Sequence, residues 1–136
     1  MIVLDASAAV DLLLSTERAR GIAQALGSVS QVHAPELIDP EVIAVVRRWT
    51  HKGWLKPAAG TRAIEELGEL ALIRHGHGPL RLRAWELRDR CTVYDACYVA
   101  LAEMLGAELL TTDARLIRAV GGLVGVAVVD VAGPQT

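Results

Sequence analysis

The sequence predicts an α/β fold of three layers, in which helices cover both faces of a mainly parallel sheet of four or five strands. Two observations support this prediction. Short apolar segments alternate with longer amphipathic segments along the chain, a pattern that is typical of parallel sheets. One of the longer segments, residues 92–105, is apolar almost all round, as expected of a helix that is buried against a sheet.

The predicted strands are short apolar runs that end at polar or turn-forming residues. The first run, residues 1–4, is too short for a helix and ends at Asp5. The other four runs cover residues 32–34, 72–74, 108–111 and 126–131. The run at 72–74 has the weakest pattern, which leaves the choice between four and five strands open.

The predicted helices occupy the segments between these strands. They cover residues 7–14, 17–26, 35–51, 57–70, 79–90, 92–105 and 114–120. Ser7 is the expected N-cap of the first helix, and Pro35 is expected to start the third. Glycines 27, 53 and 106 follow predicted helix ends. No repeat or linker interrupts the pattern, so we expect one domain over residues 1–136.

Composition excludes several classes of protein. The chain has 136 residues, of which 52% are hydrophobic, so it is long enough for one domain with a sizeable core. No apolar run reaches the ~18 residues that a membrane span needs. The N-terminus carries no basic region of the kind that opens a signal peptide. We therefore expect a cytoplasmic protein without membrane association.

Charge is unevenly distributed along the chain. The net charge is −2, but residues 47–90 carry ten Lys or Arg against five Asp or Glu, a net of +5, and the remainder carries −7. Such asymmetry suits a basic surface beside an acidic pocket. Ordinary solvated helix faces explain the same numbers equally well.

Two aspartates follow predicted strands. Asp5 ends the first strand, and Asp113 follows the run Leu-Leu-Thr-Thr. Ligands of open α/β sheets bind beyond the carboxyl ends of strands, where both residues are expected to lie. Each residue also has a structural explanation, because Asp5 could form a turn or cap a helix and Asp113 could cap the helix that begins at residue 114.

Glu41 lies on the apolar face of a predicted helix. At helical spacing it falls among a set of apolar residues: Leu37, Ile38, Val42, Val45 and Trp49. An inward charge is costly, which favours a functional role. The alternative is that Asp39 and Pro40 restart the helix, so that Glu41 only meets its positive end.

Asp95 is the only charged residue between Val93 and Ala102. A carboxylate in so apolar a helix must pair with another group or bind a cation, because its unpaired burial costs several kcal/mol. A capping box with Thr92, three residues earlier, is the structural alternative. The two roles are compatible with each other.

The four acids together predict a metal site. Asp5 and Asp113 end parallel strands, and Glu41 and Asp95 lie early in helices that start from the same edge. Carboxylates that converge there repel each other and raise each other's pKa. A divalent cation removes that conflict, and oxygen-only ligation suits Mg²⁺ or Mn²⁺. Such ions activate water for phosphodiester hydrolysis.

Four stretches of the chain resemble the PIN-domain ribonucleases, specifically the VapC toxins of toxin–antitoxin pairs. They are IVLDAS (2–7), PELIDPEV (35–42), TVYDACYVALAE (92–103) and LLTTDARL (109–116). Each stretch is weak alone, but their order and spacing span nearly the whole chain.

This resemblance implies a Mg²⁺- or Mn²⁺-dependent endoribonuclease whose catalytic and metal-binding acids are Asp5, Glu41, Asp95 and Asp113. Ser7 and Thr112 match hydroxyl positions beside that site. The products would carry 5′-phosphate and 3′-hydroxyl ends. A homodimer and a VapB-type antitoxin are the implied protein partners. Pro40 departs from the pattern, and a kink at that residue would shift Glu41.

Two other functions fit parts of the sequence. A catalytically silent RNA- or protein-binding module would use the same acids only as helix caps. A receiver-type phosphotransfer domain would also place an aspartate after the first strand. Receivers, however, need adjacent acids in that loop and a late lysine, and no lysine follows Lys56.

Overall fold

A five-stranded, all-parallel sheet forms the centre of the molecule, which we describe from a computed structural model over residues 1–127. The strands are β1 (Ile2–Leu4), β2 (Val32–Pro35), β3 (Leu72–His75), β4 (Glu108–Leu110) and β5 (Val126–Ala127). Their spatial order is β3-β2-β1-β4-β5. The prediction of a three-layer α/β/α fold with a parallel sheet is confirmed, and the sheet has five strands.

Seven α-helices pack on this sheet within the described residues. They are α1 (Ala6–Leu13), α2 (Ala19–Gly27), α3 (Ile38–His51), α4 (Pro57–Glu69), α5 (Arg81–Glu86), α6 (Val93–Leu105) and α7 (Ala114–Val120). Helices α1 to α4 pack on one another, whereas α6 packs on β1, β2 and β4 and contacts α5. No helix of residues 1–127 has the length and apolar character that crossing a membrane requires.

The strand order changes direction at β1. From β1 the chain moves to β2 and β3 on one side, and it then returns to place β4 on the other side of β1. The loops that follow β1 and β4 therefore leave in opposite directions and open a crevice at the carboxyl edge of the sheet. In open α/β sheets this crevice is the usual place for a ligand.

Helix α6 supplies the centre of the core. Its residues 96–102 are all buried, and Tyr98 is among the largest fully buried side chains. The prediction of a buried helix is correct for this central part, whereas Val93 and Tyr94 in the first turn are exposed. Gly106 ends α6 in the left-handed conformation, with φ of +63°.

Three predicted helix boundaries were wrong. Asp5, not Ser7, is the N-cap of α1. Pro35 ends β2 instead of starting α3, because it still pairs with His75 in the parallel ladder. Residues 79–90 form a short 3₁₀ turn and the six-residue helix α5 instead of one long helix.

Pro40 does not interrupt α3. It occupies the first turn of that helix, where a backbone N–H has no intrahelical acceptor, so the missing donor costs nothing. The next residue, Glu41, donates its N–H to the Leu37 carbonyl at 3.1 Å. The expected displacement of Glu41 by a kink is therefore wrong. The predicted strand at 126–131 begins at Val126, and its remainder lies outside the described residues.

Two glycine substitutions should change stability in opposite directions. Gly106→Ala places a Cβ on a left-handed residue and should lower the free energy of unfolding by about 1 kcal/mol. Gly68→Ala lies inside α4 with no atom near the new methyl group, and should raise it by roughly 0.5–1 kcal/mol. Urea unfolding measures both variants, and shifts of the same sign would contradict this account.

Candidate active site

Asp5 is a buried carboxylate at the carboxyl end of β1. Only 3% of its surface is exposed. Its Oδ1 accepts hydrogen bonds from the Ser7 hydroxyl at 2.7 Å and the Ala8 N–H at 3.0 Å, and its Oδ2 accepts one from the Thr111 hydroxyl at 2.5 Å. Burial nevertheless raises the pKa of Asp5 to about 6, because desolvation outweighs these three donors and the charge of Asp95 adds to it.

Glu41 reaches the same region from α3. The hydroxyl of Tyr98 on α6 donates to Glu41 Oε1 at 2.7 Å. Burial raises the pKa of Glu41, the Tyr98 hydrogen bond partly opposes this, and the charge of Asp95 raises it further. The prediction that Glu41 points away from the polar face of α3 agrees with this inward contact.

Asp95 and Asp113 occupy helix starts, as their structural alternatives anticipated. Thr92 is the N-cap of α6, and its hydroxyl accepts the Asp95 N–H at 3.2 Å. Asp113 is the N-cap of α7, and its Oδ1 accepts the Arg115 N–H at 2.9 Å. Burial raises the pKa of Asp95, Thr92 and Arg115 lower it, and the charge of Asp113 raises it.

All four predicted acids line one pocket of about 750 Å³ at the carboxyl edge of the sheet. Asp95 is electrostatically coupled to the other three acids. Its charge raises the pKa of Asp5 and of Glu41, and the charge of Asp113 raises the pKa of Asp95. Within residues 1–127, Asp5, Glu41 and Asp95 form no salt bridge, and only Asp113 lies near a cation, 3.9 Å from Arg115. The pocket therefore holds four carboxylates, and of its lining arginines, Arg48 and Arg115, only Arg115 has a resolved effect on an acid, Asp95.

Comparison with known proteins identifies the family. Residues 2–122 match the model of the PIN domain. The chain belongs to the PIN-domain family. It is 42% identical over 118 residues to ribonuclease VapC3 of Mycobacterium tuberculosis, covering 87% of this chain and 86% of that protein.

Two solved structures resemble this PIN domain in fold. A toxin–antitoxin complex from Klebsiella pneumoniae matches at a TM-score of 0.67 and 20% identity, over 94% of this chain and 97% of that chain. VapBC2 from Rickettsia felis, bound to a promoter DNA fragment, matches at 0.68 and 14% identity, over 96% and 100%. The family match leaves the receiver-type alternative without support.

The hydroxyl residues around the acids were predicted only in part. Ser7 contacts Asp5, as expected. Thr112 does not reach the acids with its side chain, because its hydroxyl donates to Asp11 Oδ2 at 2.7 Å. Its backbone N–H donates to Ser7 Oγ at 3.1 Å. Thr111 is the residue that contacts Asp5, since it follows Leu110, the register partner of Leu4.

Sequence reasoning missed two further contributors, Tyr98 and Asp11. Tyr98 lies three residues after Asp95, a spacing that places both on one face of α6 and could have revealed it. Asp11 accepts the hydroxyls of Thr16 and Thr112, and thereby ties α1 to the loop after β4. No local pattern marks Asp11, because its main partner is 101 residues away.

The donor chemistry of this PIN-domain pocket fits a hard divalent cation. Its ligands would all be carboxylate oxygens, and three of the four carboxyls have a raised pKa that a cation would lower. Asp5 Oδ2 accepts a single hydrogen bond, so one lone pair remains available. Among residues 1–127, however, no three His, Cys, Asp or Glu side chains already form a cluster that could hold an ion.

Asp5→Asn should stabilise the metal-free protein near neutral pH. A carboxyl whose pKa rises on folding favours the folded state below its unfolded pKa of 3.8, and that contribution is lost as the pH rises through about 6. The amide escapes this cost, so at pH 7.5 the variant should be more stable by about 3 kcal/mol, falling to about 1 kcal/mol at pH 4.5.

Urea unfolding in EDTA at both pH values measures this difference. Glu65→Gln, at an exposed position of α4, serves as the control. An equal stability difference at pH 4.5 and 7.5 would contradict the assignment of a charge penalty to Asp5.

Tyr98→Phe should raise the pKa of Glu41 further. The substitution removes the hydroxyl that stabilises the Glu41 carboxylate and leaves the buried ring in place. Carboxyl ¹³C chemical shifts followed against pH report the Glu41 titration directly. An unchanged Glu41 pKa would show that the 2.7 Å hydrogen bond does not hold this carboxylate in solution.

Proposed function

We propose that this chain is a Mg²⁺- or Mn²⁺-dependent endoribonuclease and the toxin of a toxin–antitoxin pair. The observation that carries the proposal is the convergence of Asp5, Glu41, Asp95 and Asp113 on one pocket of a PIN domain. The 42% identical relative VapC3 is named a ribonuclease, which supports RNA as the substrate.

Asp5 and Asp95 would hold the cation most directly, and Asp113 and Glu41 would complete the site directly or through water. When bound, the ion supplies an activated water and stabilises negative charge on the phosphate. The protein contributes the positions of the ligands. Asp5 is fixed by three hydrogen-bond donors, and the caps of α6 and α7 fix the backbone at Asp95 and Asp113.

Glu41 is suited to accept a proton during hydrolysis. Tyr98 occupies its Oε1, and in the described part of the chain its Oε2 is not committed to a protein donor. In this proposal Oε2 receives the proton of the attacking water.

The proposed partners are an antitoxin of the VapB type and a second copy of the chain. The similar structures from K. pneumoniae and R. felis are a toxin–antitoxin complex and VapBC2, which supports an antitoxin partner. The same proposal includes a cytoplasmic location, where RNA and antitoxin are both available.

A silent binding module remains the second candidate, because Asp5 and Asp113 serve as helix caps and no three ligands are pre-assembled in residues 1–127. Calorimetric titration with Mn²⁺ separates the two functions. The enzyme should release or absorb heat on binding and gain melting temperature by mass action. A silent module would show neither effect.

Asp95→Asn should abolish Mg²⁺-dependent RNA cleavage and leave the fold intact. The substitution removes the carboxylate whose charge acts on Asp5 and Glu41. The backbone N–H of residue 95 still donates to the Thr92 hydroxyl, so the N-cap of α6 is kept. End-labelled RNA resolved on gels measures the cleavage, and circular dichroism measures the fold. Asp89→Asn, at an exposed position outside the pocket, is the matched control. Undiminished cleavage by Asp95→Asn would refute the proposed function.

A further inference from the structure

We propose that the apolar residues that α3 supplies to the pocket bind one unstacked nucleobase of the RNA, with Tyr94 as its stacking platform and Arg48 and Arg115 on the neighbouring phosphates. This inference rests on the proposed function and adds the way in which the site selects its substrate. It concerns residues that play no part in holding the cation.

The pocket has both acidic and apolar lining. Besides the four carboxylates, the start and one face of α3 supply a set that we call the apolar wall: Leu37, Pro40, Ala44 and Val45. Helical spacing places this wall on the same stripe of α3 as Glu41. A site for phosphate and metal alone has no use for such a wall, whereas a nucleobase buries its flat apolar surface against one.

Tyr94, in the first turn of α6, lines the same pocket as this wall. It is 62% exposed and directly precedes Asp95, so its ring is accessible to a ligand beside the acids. Aromatic rings at nucleic-acid sites stack on bases without regard to sequence. A base that stacks on Tyr94 must first leave its own helical stack, so the subsite accepts an unpaired nucleotide.

Two arginines of the pocket supply positive charge for the phosphates of the RNA. Arg48 continues the pocket stripe of α3, about 10 Å along the axis from Glu41. Arg115 lies in α7 and lines the same pocket, with 86% of its side chain exposed and a long 3.9 Å contact to Asp113. Both side chains are available to phosphate oxygens on either side of the base. This pairing of cations with an aromatic ring favours RNA over a protein segment as the occupant.

The experiment measures binding of a fluorescein-labelled 12-nucleotide RNA that the protein cleaves, by anisotropy in EDTA. Tyr94→Ala should weaken binding by roughly tenfold, and Tyr94→Phe should bind like the wild type because the ring is retained. Trp85→Ala, an aromatic of similar exposure outside the pocket, is the matched control. Arg48→Ala should weaken binding and reduce the slope of log affinity against log salt concentration by about one, the effect of one lost phosphate contact. Substitution of the neighbouring residue, Arg47→Ala, should change neither, because Arg47 does not line the pocket.

A set of abasic RNAs locates the base. With the wild-type protein, removing the base at one position of the RNA should weaken binding as much as Tyr94→Ala does. Tyr94→Ala with that abasic RNA should then lose no more affinity than either change alone. Fully additive losses at every position would overturn the stacking subsite. RNA binding that is unchanged in Tyr94→Ala would assign the apolar wall to a protein partner and would also overturn it.

The outcomes for the two proposals are separate. If the wild type cleaves no RNA in Mg²⁺ or Mn²⁺, the proposed function fails and the nucleobase subsite fails with it. If it cleaves RNA and Tyr94→Ala cleaves and binds at the wild-type level, only the nucleobase subsite fails. Thermal unfolding of each variant tests for loss of fold. We expect the fold to be kept, because Tyr94 and Arg48 lie at exposed positions.

Discussion

The burial of the Asp5 charge is the constraint on which the pocket depends. Three donors surround this carboxylate, yet its pKa remains raised to about 6 because desolvation exceeds what they return. Three more acids then line the same pocket. The protein supplies hydrogen bonds that orient these groups, but Asp5, Glu41 and Asp95 form no salt bridge within residues 1–127. Their charges are therefore available to the proposed cation.

The fold explains how residues far apart in sequence meet there. Strands β1 and β4 are neighbours although more than 100 residues separate them, and their connections diverge at the carboxyl edge. Asp5 and Asp113 enter the crevice from those two strand ends. Helices α3 and α6 begin at the same edge, and the Tyr98–Glu41 hydrogen bond joins them across 57 residues. The same helix starts also supply the apolar wall and the aromatic ring beside the acids.

Some features of the site serve stability and function at once. Asp5 and Asp113 cap helices, and Thr92 caps the helix that carries Asp95. These caps fix the backbone where the chemistry is proposed, so the structural and functional explanations of the acids are not in competition. Pro40 is also tolerated because of its position. A proline breaks the interior of a helix, but Pro40 lies in the first turn of α3, where it does no harm.

The sequence by itself determined the α/β class and the parallel sheet, because hydrophobic periodicity is a local signal. It also predicted that four acids lie together at one edge of the sheet, and all four line one pocket. It could not determine which threonine meets Asp5. That choice depends on the register Leu4 to Leu110, which sets Thr111 rather than Thr112 beside the carboxylate.

Nor could it reveal the boundary between β2 and α3, the contact of Tyr98 with Glu41, or the raised pKa of Asp5. Each of these depends on pairing, burial or contacts between distant segments. Only the tertiary structure decides such properties, because desolvation and hydrogen bonding act on distances in space and not on spacing along the chain.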